Sequence, residues 1–269
     1  MTLEGLTNEL QYSCENGVAV LTLNRPDKLN ACTTAMYNGI IQVVDEVRQN
    51  DDVKVLVLTG AGKGFCAGSD AKNRLEARVK GNSLARSRSE MIAPVGYFGQ
   101  ALYDLEKPTI AAVNGVCAGA GLSFALLCDI RIASDKSKFG AVWTRMGLVP
   151  DVGATYLLPR TVGVDKAIML CFTGELVDAA EAERIGLVTE VVEHDLLMSR
   201  VHEIAAKIAE GPSVAIELAK RCIYRAMGGN YASQLDFESY AQNVCFQTED
   251  FQEAIAAFKE KRKARFQGR

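Results

Sequence analysis

The strongest constraint on the fold is a series of short, nearly unbroken apolar runs set between segments of helical period. VAVLTL at Val18–Leu23, KVLVLT at 54–59, TIAAVN at 109–114 and the shorter IRIA at 130–133 have strand length and are β-branched-rich. A strand with one wet face alternates apolar and polar residues, whereas a continuous run suits a strand covered on both faces, as in α/β sheets. Between the first two runs, residues 33–49 place Met36, Ile40, Ile41, Val44 and Val47 on one helical face. The expectation is an α/β body over residues 1–195. From about residue 164 the pattern is helical almost throughout, including 195–209, 212–227 and 248–264, with one weaker apolar run at 187–192. A helical region at 196–269 therefore completes the chain. Residues 71–106 are charged, poorly periodic and interrupted by Gly81 and Pro94, which reads as a short helix plus a mobile loop.

Composition removes several classes of function. Thirty basic and 33 acidic residues leave a net charge of −3, so no whole-chain field attracts nucleic acid or an anionic membrane. A polyanionic ligand would have to be held by local groups. The first residues carry neither a basic segment nor an apolar core, no apolar run approaches ~20 residues, and neither a secretory signal nor a membrane span is expected. Eight scattered cysteines without a CxxC pair read as buried free thiols in a reducing, cytoplasmic setting. The two histidines, His194 and His202, fall too late and too far from any cysteine pattern for a zinc site of regular spacing.

Two glycine-bearing turns stand out. GFCAGSD at 64–70 follows the 54–59 run, and NGVCAGAG at 114–121 follows the 109–114 run and opens an apolar helix at 122–127. Glycine tolerates the φ values that turn successive N–H groups outward, and a helix start leaves its own N–H groups unpaired. Brought together, two such turns would aim two donors at one developing oxyanion. The plain alternative is a pair of tight strand-to-helix turns. Gly115, Gly119 and Gly121 do not have the G-x-G-x-x-G spacing, and no acidic residue ends a strand ~20 residues on, so dinucleotide binding is rejected.

Several long motifs in order now add a resemblance. LTLNRPDKLNA (21–31), VLVLTGAGKGFCAGSD (55–70), KPTIAAVNGVCAGAGLSFALLCDIRIAS (107–134), FGAVWTRMGLVPDVGATYLLPRTVG (139–163), TGELVDAAEAERIGLVTEVV (173–192) and FKEKRKARF (258–266) make residues 8–267 resemble the enoyl-CoA hydratase/isomerase (crotonase) superfamily. The resemblance implies a spiral of ββα units with a C-terminal helical region that trimerises, often into a hexameric dimer of trimers. It implies an acyl-CoA thioester as substrate, coenzyme A entering only as part of that substrate, and no tightly bound cofactor or metal. The thioester oxygen would accept from the backbone N–H groups of Ser69 and Ala120, so the Ser69 hydroxyl is not a nucleophile. Lys28, Leu29 and Ala31 resemble the segment lining the adenosine-diphosphate end, with Ala67 and Asp70 flanking the first donor. Phe258 and Lys261 resemble tail residues that close over coenzyme A, from the same or a neighbouring subunit; a solvated helix face is the alternative for this basic tail.

The same resemblance makes the carboxylates informative. Hydratases of the family place two glutamates at the centre, and those positions fall here on Ser123 and Trp143. Water addition needs a placed water and a proton relay, which two carboxylates supply. Asp151, in GLVPDVG, resembles the single acid/base carboxylate of one isomerase branch, set between apolar neighbours Val149 and Val152. One carboxylate suffices for a 1,3-proton shift. The expectation is thus an enoyl-CoA isomerase with Asp151 as shuttle; Asp151 as a turn cap after Pro150 stays open. Trp143 either walls the acyl pocket or packs in the core. The pair Trp143 and Asp151 also resembles that of 4-chlorobenzoyl-CoA dehalogenases, but no histidine lies in 71–106 to assist hydrolysis. The remaining alternatives are a hydratase or hydrolase using Asp151, and a crotonase-fold subunit that binds without catalysis. Asp70 is expected to cap the next helix, and Glu106 to be a solvated loop charge.

Overall fold

The computed structural model describes residue 3, residues 5–70 and residues 95–269. Among the described residues, ten strands form two sheets. In the larger, β1 (Leu10–Glu15), β2 (Val18–Leu23), β3 (Val55–Gly60), β5 (Thr109–Val113), β7 (Ile130–Ser134) and β10 (Glu190–Val192) lie in that spatial order. Only β1 pairs antiparallel; the others run parallel. The smaller sheet holds β4 (Gly64–Cys66), β6 (Val116–Ala118), β8 (Lys138–Gly140) and β9 (Leu176–Asp178). Three of the four apolar runs therefore feed two strands: β3 leads to β4, β5 to β6 and β7 to β8, one for each sheet. This is the ββα spiral that the resemblance implied.

Period-two burial explains why the central runs are continuous. Leu56 and Leu58 of β3, with Ala111 and Val113 of β5, face the main core with helix α1 (Thr34–Gln49), whose buried stripe includes Met36, Ile40, Val44 and Val47. Val55 and Val57, with Ile110 and Ala112, face the opposite way and pack against Leu197, Val201 and Ala205. Those last three belong to a helix at Leu197–Ala209, the first helix past residue 196. The packing thus continues across residue 195.

Three differences from the sequence reading have a common cause. The turns at 64–70 and 114–121 begin with three-residue strands, and a third such strand, Leu176–Asp178, lies where only helix was expected. Three residues carry no measurable period. In the 71–106 segment, helix α2 spans Val95–Tyr103, and residues 71–94 lie outside the described residues. The helix expected to run through 264 ends at Glu260, where Lys261 turns left-handed at φ 56°.

Candidate active site

The first donor turn is clipped to the loop after β2. Cys32 N donates to Gly68 O at 2.8 Å, Asp70 N donates to Cys32 O at 2.9 Å, and Ala67 N donates to Leu29 O at 2.9 Å. In a trans peptide the C=O and N–H point in opposite directions. The bond held by Gly68 O therefore turns the Ser69 N–H, in the same peptide group, away from Cys32. The Ser69 hydroxyl is spoken for by Tyr37 Oη at 3.2 Å.

The second turn opens helix α3 (Ala120–Leu127), with Gly119 as N-cap at φ 54° and no side-chain cap. Ala120 is the first helical residue, so its N–H has no partner within the helix. Among the described residues neither the Ser69 N–H nor the Ala120 N–H has an acceptor. The two turns touch backbone to backbone: a Cβ on Gly68 would lie 3.6 Å from Ala120 N and 3.2 Å from Ala118 O. At Gly121 a Cβ would lie only 2.0 Å from Cys66 O, so the helix reaches the β4 backbone because that side chain is missing.

Asp151 sits between the two positions where glutamates were sought. Trp143 Nε1 donates to Asp151 Oδ1 at 2.9 Å, and Ser123 Oγ donates to the Asp151 backbone oxygen at 2.9 Å. Ser123 is fully buried on α3, one turn past Ala120, and Trp143 is buried in a 3-10 turn at Val142–Met146. Helix α3 thus carries one donor at its start and anchors the Asp151 segment from its next turn. Helix α4 (Ala154–Val162) starts from Gly153 without a side-chain cap. Val152 and Gly153 follow Asp151 at φ 54° and 82°. A β-branched residue there costs about 1–3 kcal/mol, and the buried Val152 side chain, whose Cγ1 would lie 3.4 Å from a Cβ built on Gly99, helps hold the turn. Val149, expected beside the carboxylate, is 77% exposed. The expectation failed because the bend at 147–153 turns Val149 outward while keeping Val152 in.

Lys28 is exposed, Leu29 is left-handed at φ 46° and partly exposed, and Ala31 is half-buried. They form one rim with Ala67, which bonds to Leu29. Asn30, within that segment, and two residues overlooked in the sequence, Arg25 and Tyr37, support the rim and the donor turn beside it. Asn30, fully buried at φ 57°, accepts from Arg25 N and donates to Ala61 O and Gly64 O. Arg25 Nη1 donates to Asp70 Oδ2 at 2.9 Å and to Ala31 O at 2.5 Å. Tyr37 meets Phe98 and Phe124 edge-on beneath Ser69. Their only sequence signal is that Arg25 and Asn30 are polar residues inside a motif turn at the end of an apolar strand. Asp70 thus has an arginine partner, while the helix it was expected to cap lies outside the described residues. Glu106 is half-exposed, 3.7 Å from Arg48 Nε.

Phe258, 83% exposed, and Lys261 are not brought to these turns within one chain. Of the basic tail, Arg262 pairs with Glu253 and Glu260, and Lys263 with Glu210. Cys117, in the second donor turn, is a poor nucleophile: burial, reinforced by neighbouring Cys66, holds its thiol well above the usual range. Among the described residues no His/Cys/Asp/Glu group could hold a metal, and no helix is long and apolar enough to cross a membrane. A cavity of about 390 Å³ lies beyond Val152 and Gly153, lined by Gly99, Tyr103, Leu127 and Tyr156 among others.

This fold is that of known proteins. The enoyl-CoA hydratase/isomerase family profile matches residues 13–269, and the chain belongs to that family. It is 42% identical to the short-chain-enoyl-CoA hydratase of Clostridium acetobutylicum over 95% of this chain and 96% of that protein. It is 36% identical to the 1,2-epoxyphenylacetyl-CoA isomerase of Escherichia coli over 95% and 97% of the two chains. The crystal structure of an enoyl-CoA hydratase from Bacillus anthracis superposes with a TM-score of 0.90 at 32% identity, covering 97% of this chain and 100% of that one.

Proposed function

We propose that this member of the family is an enoyl-CoA isomerase in which Asp151 alone moves the proton. The observation that carries the reading is the use made of the two glutamate positions: Ser123 and Trp143 both donate to Asp151. Neither can relay a proton to a water as a carboxylate would; Trp143 holds the Asp151 carboxylate and Ser123 holds the Asp151 backbone. In the proposed reaction Asp151 removes a proton from C2 of a 3-enoyl-CoA. The electron pair flows toward the thioester oxygen, whose charge the Ser69 and Ala120 N–H groups stabilise. Asp151 then returns the proton to C4, leaving the 2-enoyl thioester. Fixed donors need no reorganisation as charge develops, and one such donor is worth about 3 kcal/mol.

Purified protein given 3-enoyl-CoA should generate the conjugated thioester–enoate absorbance, and Asp151→Asn should lose at least about 10³-fold in kcat. Hydration of 2-enoyl-CoA that survives Asp151→Asn would refute the reading. That outcome defines the second reading, a hydratase with a substrate-bound water, favoured by the name of the relative from Clostridium acetobutylicum.

The active form proposed is a homotrimer or a hexamer, with Phe258 and Lys261 closing over coenzyme A bound to a neighbouring subunit. The support is Phe258, a ring left 83% exposed within its own chain. Sedimentation equilibrium should give a mass near three or six chains; a monomer at micromolar concentration would reject the assembly.

A further inference from the structure

Arg25 lies at the start of a hydrogen-bonded series that ends at the Ser69 donor. Its Nη1 donates to Ala31 O at 2.5 Å. The N–H of that same peptide group belongs to Cys32 and donates to Gly68 O at 2.8 Å. The N–H of the next peptide group is that of Ser69. Two peptide groups are thus aligned head to tail between a guanidinium and the proposed oxyanion donor. Each bond in such a series polarises the next, by about 10–30% per bond. A fixed positive charge at the acceptor end draws electron density from both carbonyls and makes the Ser69 N–H a stronger donor.

The charge is held in place on its other sides. The Arg25 side chain is 19% exposed; its Nε lies 3.1 Å from Glu9 Oε1 and its Nη1 2.9 Å from Asp70 Oδ2. Glu9 also accepts from the Thr33 hydroxyl, which caps α1. The two carboxylates partly offset the field of the guanidinium while fixing its orientation.

We infer that Arg25 is a positioning residue that polarises the Ser69 donor through the Ala31–Cys32 and Gly68–Ser69 peptide groups. The inference rests on the Ser69 N–H meeting the thioester oxygen, and the two claims fail separately. The probe is a saturated acyl-CoA labelled at its thioester carbonyl, followed by difference infrared spectroscopy. If the carbonyl band does not move to lower frequency on binding to the unaltered protein, the oxyanion-donor reading itself is wrong. If it moves, Arg25→Gln should lose a large part of the shift and Arg25→Lys a smaller part. kcat for deuterium exchange at C2 should fall about tenfold in Arg25→Gln, short of the 10²–10³ of a deleted donor. The Kd for the acyl-CoA should change by less than about threefold, since the effect lies in charge development.

A second variant keeps the inference testable if Arg25→Gln does not fold. Glu9→Gln removes a counter-charge while leaving the arginine, and should move the band in the opposite direction to Arg25→Gln. A merely structural role would weaken the shift in both. A band and a kcat insensitive to Arg25→Gln, or a Glu9→Gln change of the same sign, overturns the inference.

Discussion

At the scale of single residues, the site rests on Asp151 being held rather than merely present. Trp143→Phe keeps the aromatic bulk and removes only the indole donor. Loss of a buried hydrogen bond to a charged group should cost about 1.5–3 kcal/mol in stability, readable by urea denaturation. Loss of the indole bond that orients the carboxylate should also lower kcat roughly tenfold or more with KM little changed; an unaltered kcat would show that the indole packs without orienting. Asp151, Ser123 and Trp143 were all legible as candidates, because a family pattern marks positions. Their mutual contact was not, since it joins residues 28 and 8 apart along the chain through three separate elements. Val149 shows the limit from the other side: an apolar neighbour in sequence sits in solvent, because left-handed residues at 147, 152 and 153 redirect the chain.

At the scale of elements, the backbone contact between the two donor turns depends on absent side chains. Gly121→Ala would set a Cβ 2.0 Å from the Cys66 carbonyl oxygen, a backbone atom that cannot step aside. Helix α3 would have to lift from β4. The expected cost is about 3 kcal/mol or more, with activity lost in the folded fraction because the Ala120 donor moves with its helix. Gly147→Ala meets nothing within 4 Å and bears only the strain of φ 66°, about 1 kcal/mol. Thermal denaturation of the two variants separates steric closure from backbone strain; equal losses would contradict the close approach. This level also decides what was legible. Strands of five or six residues with both faces covered could be read directly, as at Val18–Leu23 and 109–113. The small sheet was not legible, because Gly64–Cys66 and Val116–Ala118 are too short to have a period and lie among the glycines that signal turns.

At the scale of the whole molecule, the tail is joined to the body by apolar cover and by a polar knot. Helix Leu197–Ala209 supplies the cover, and its helical period announced an apolar face without saying which sheet face it would meet. Helix Ser213–Ala226 supplies the knot. Asp129 accepts from Thr109 N and Oγ1 and from the Tyr224 hydroxyl, and its Oδ2 lies 2.9 Å from Lys220 Nζ. Burial, and then the negative charge of Asp129, raise the Tyr224 pKa above the usual value of 10.0. In the unfolded chain Tyr224 loses its proton near pH 10, while the folded protein keeps it. Above pH 10 the native state therefore binds more protons than the unfolded one, and linkage makes the contribution of Tyr224 fall as pH rises toward the folded pKa. Below pH 10 that contribution is fully present. Tyr224→Phe should cost about 1.5–3 kcal/mol at neutral pH, for the lost bond to a carboxylate. The variant's stability should also decline less steeply between pH 10 and 11 than that of the unaltered protein. Parallel slopes in urea titrations across that range would mean that Tyr224 ionises in the folded state as it does in the unfolded, and that the knot does not hold the tail.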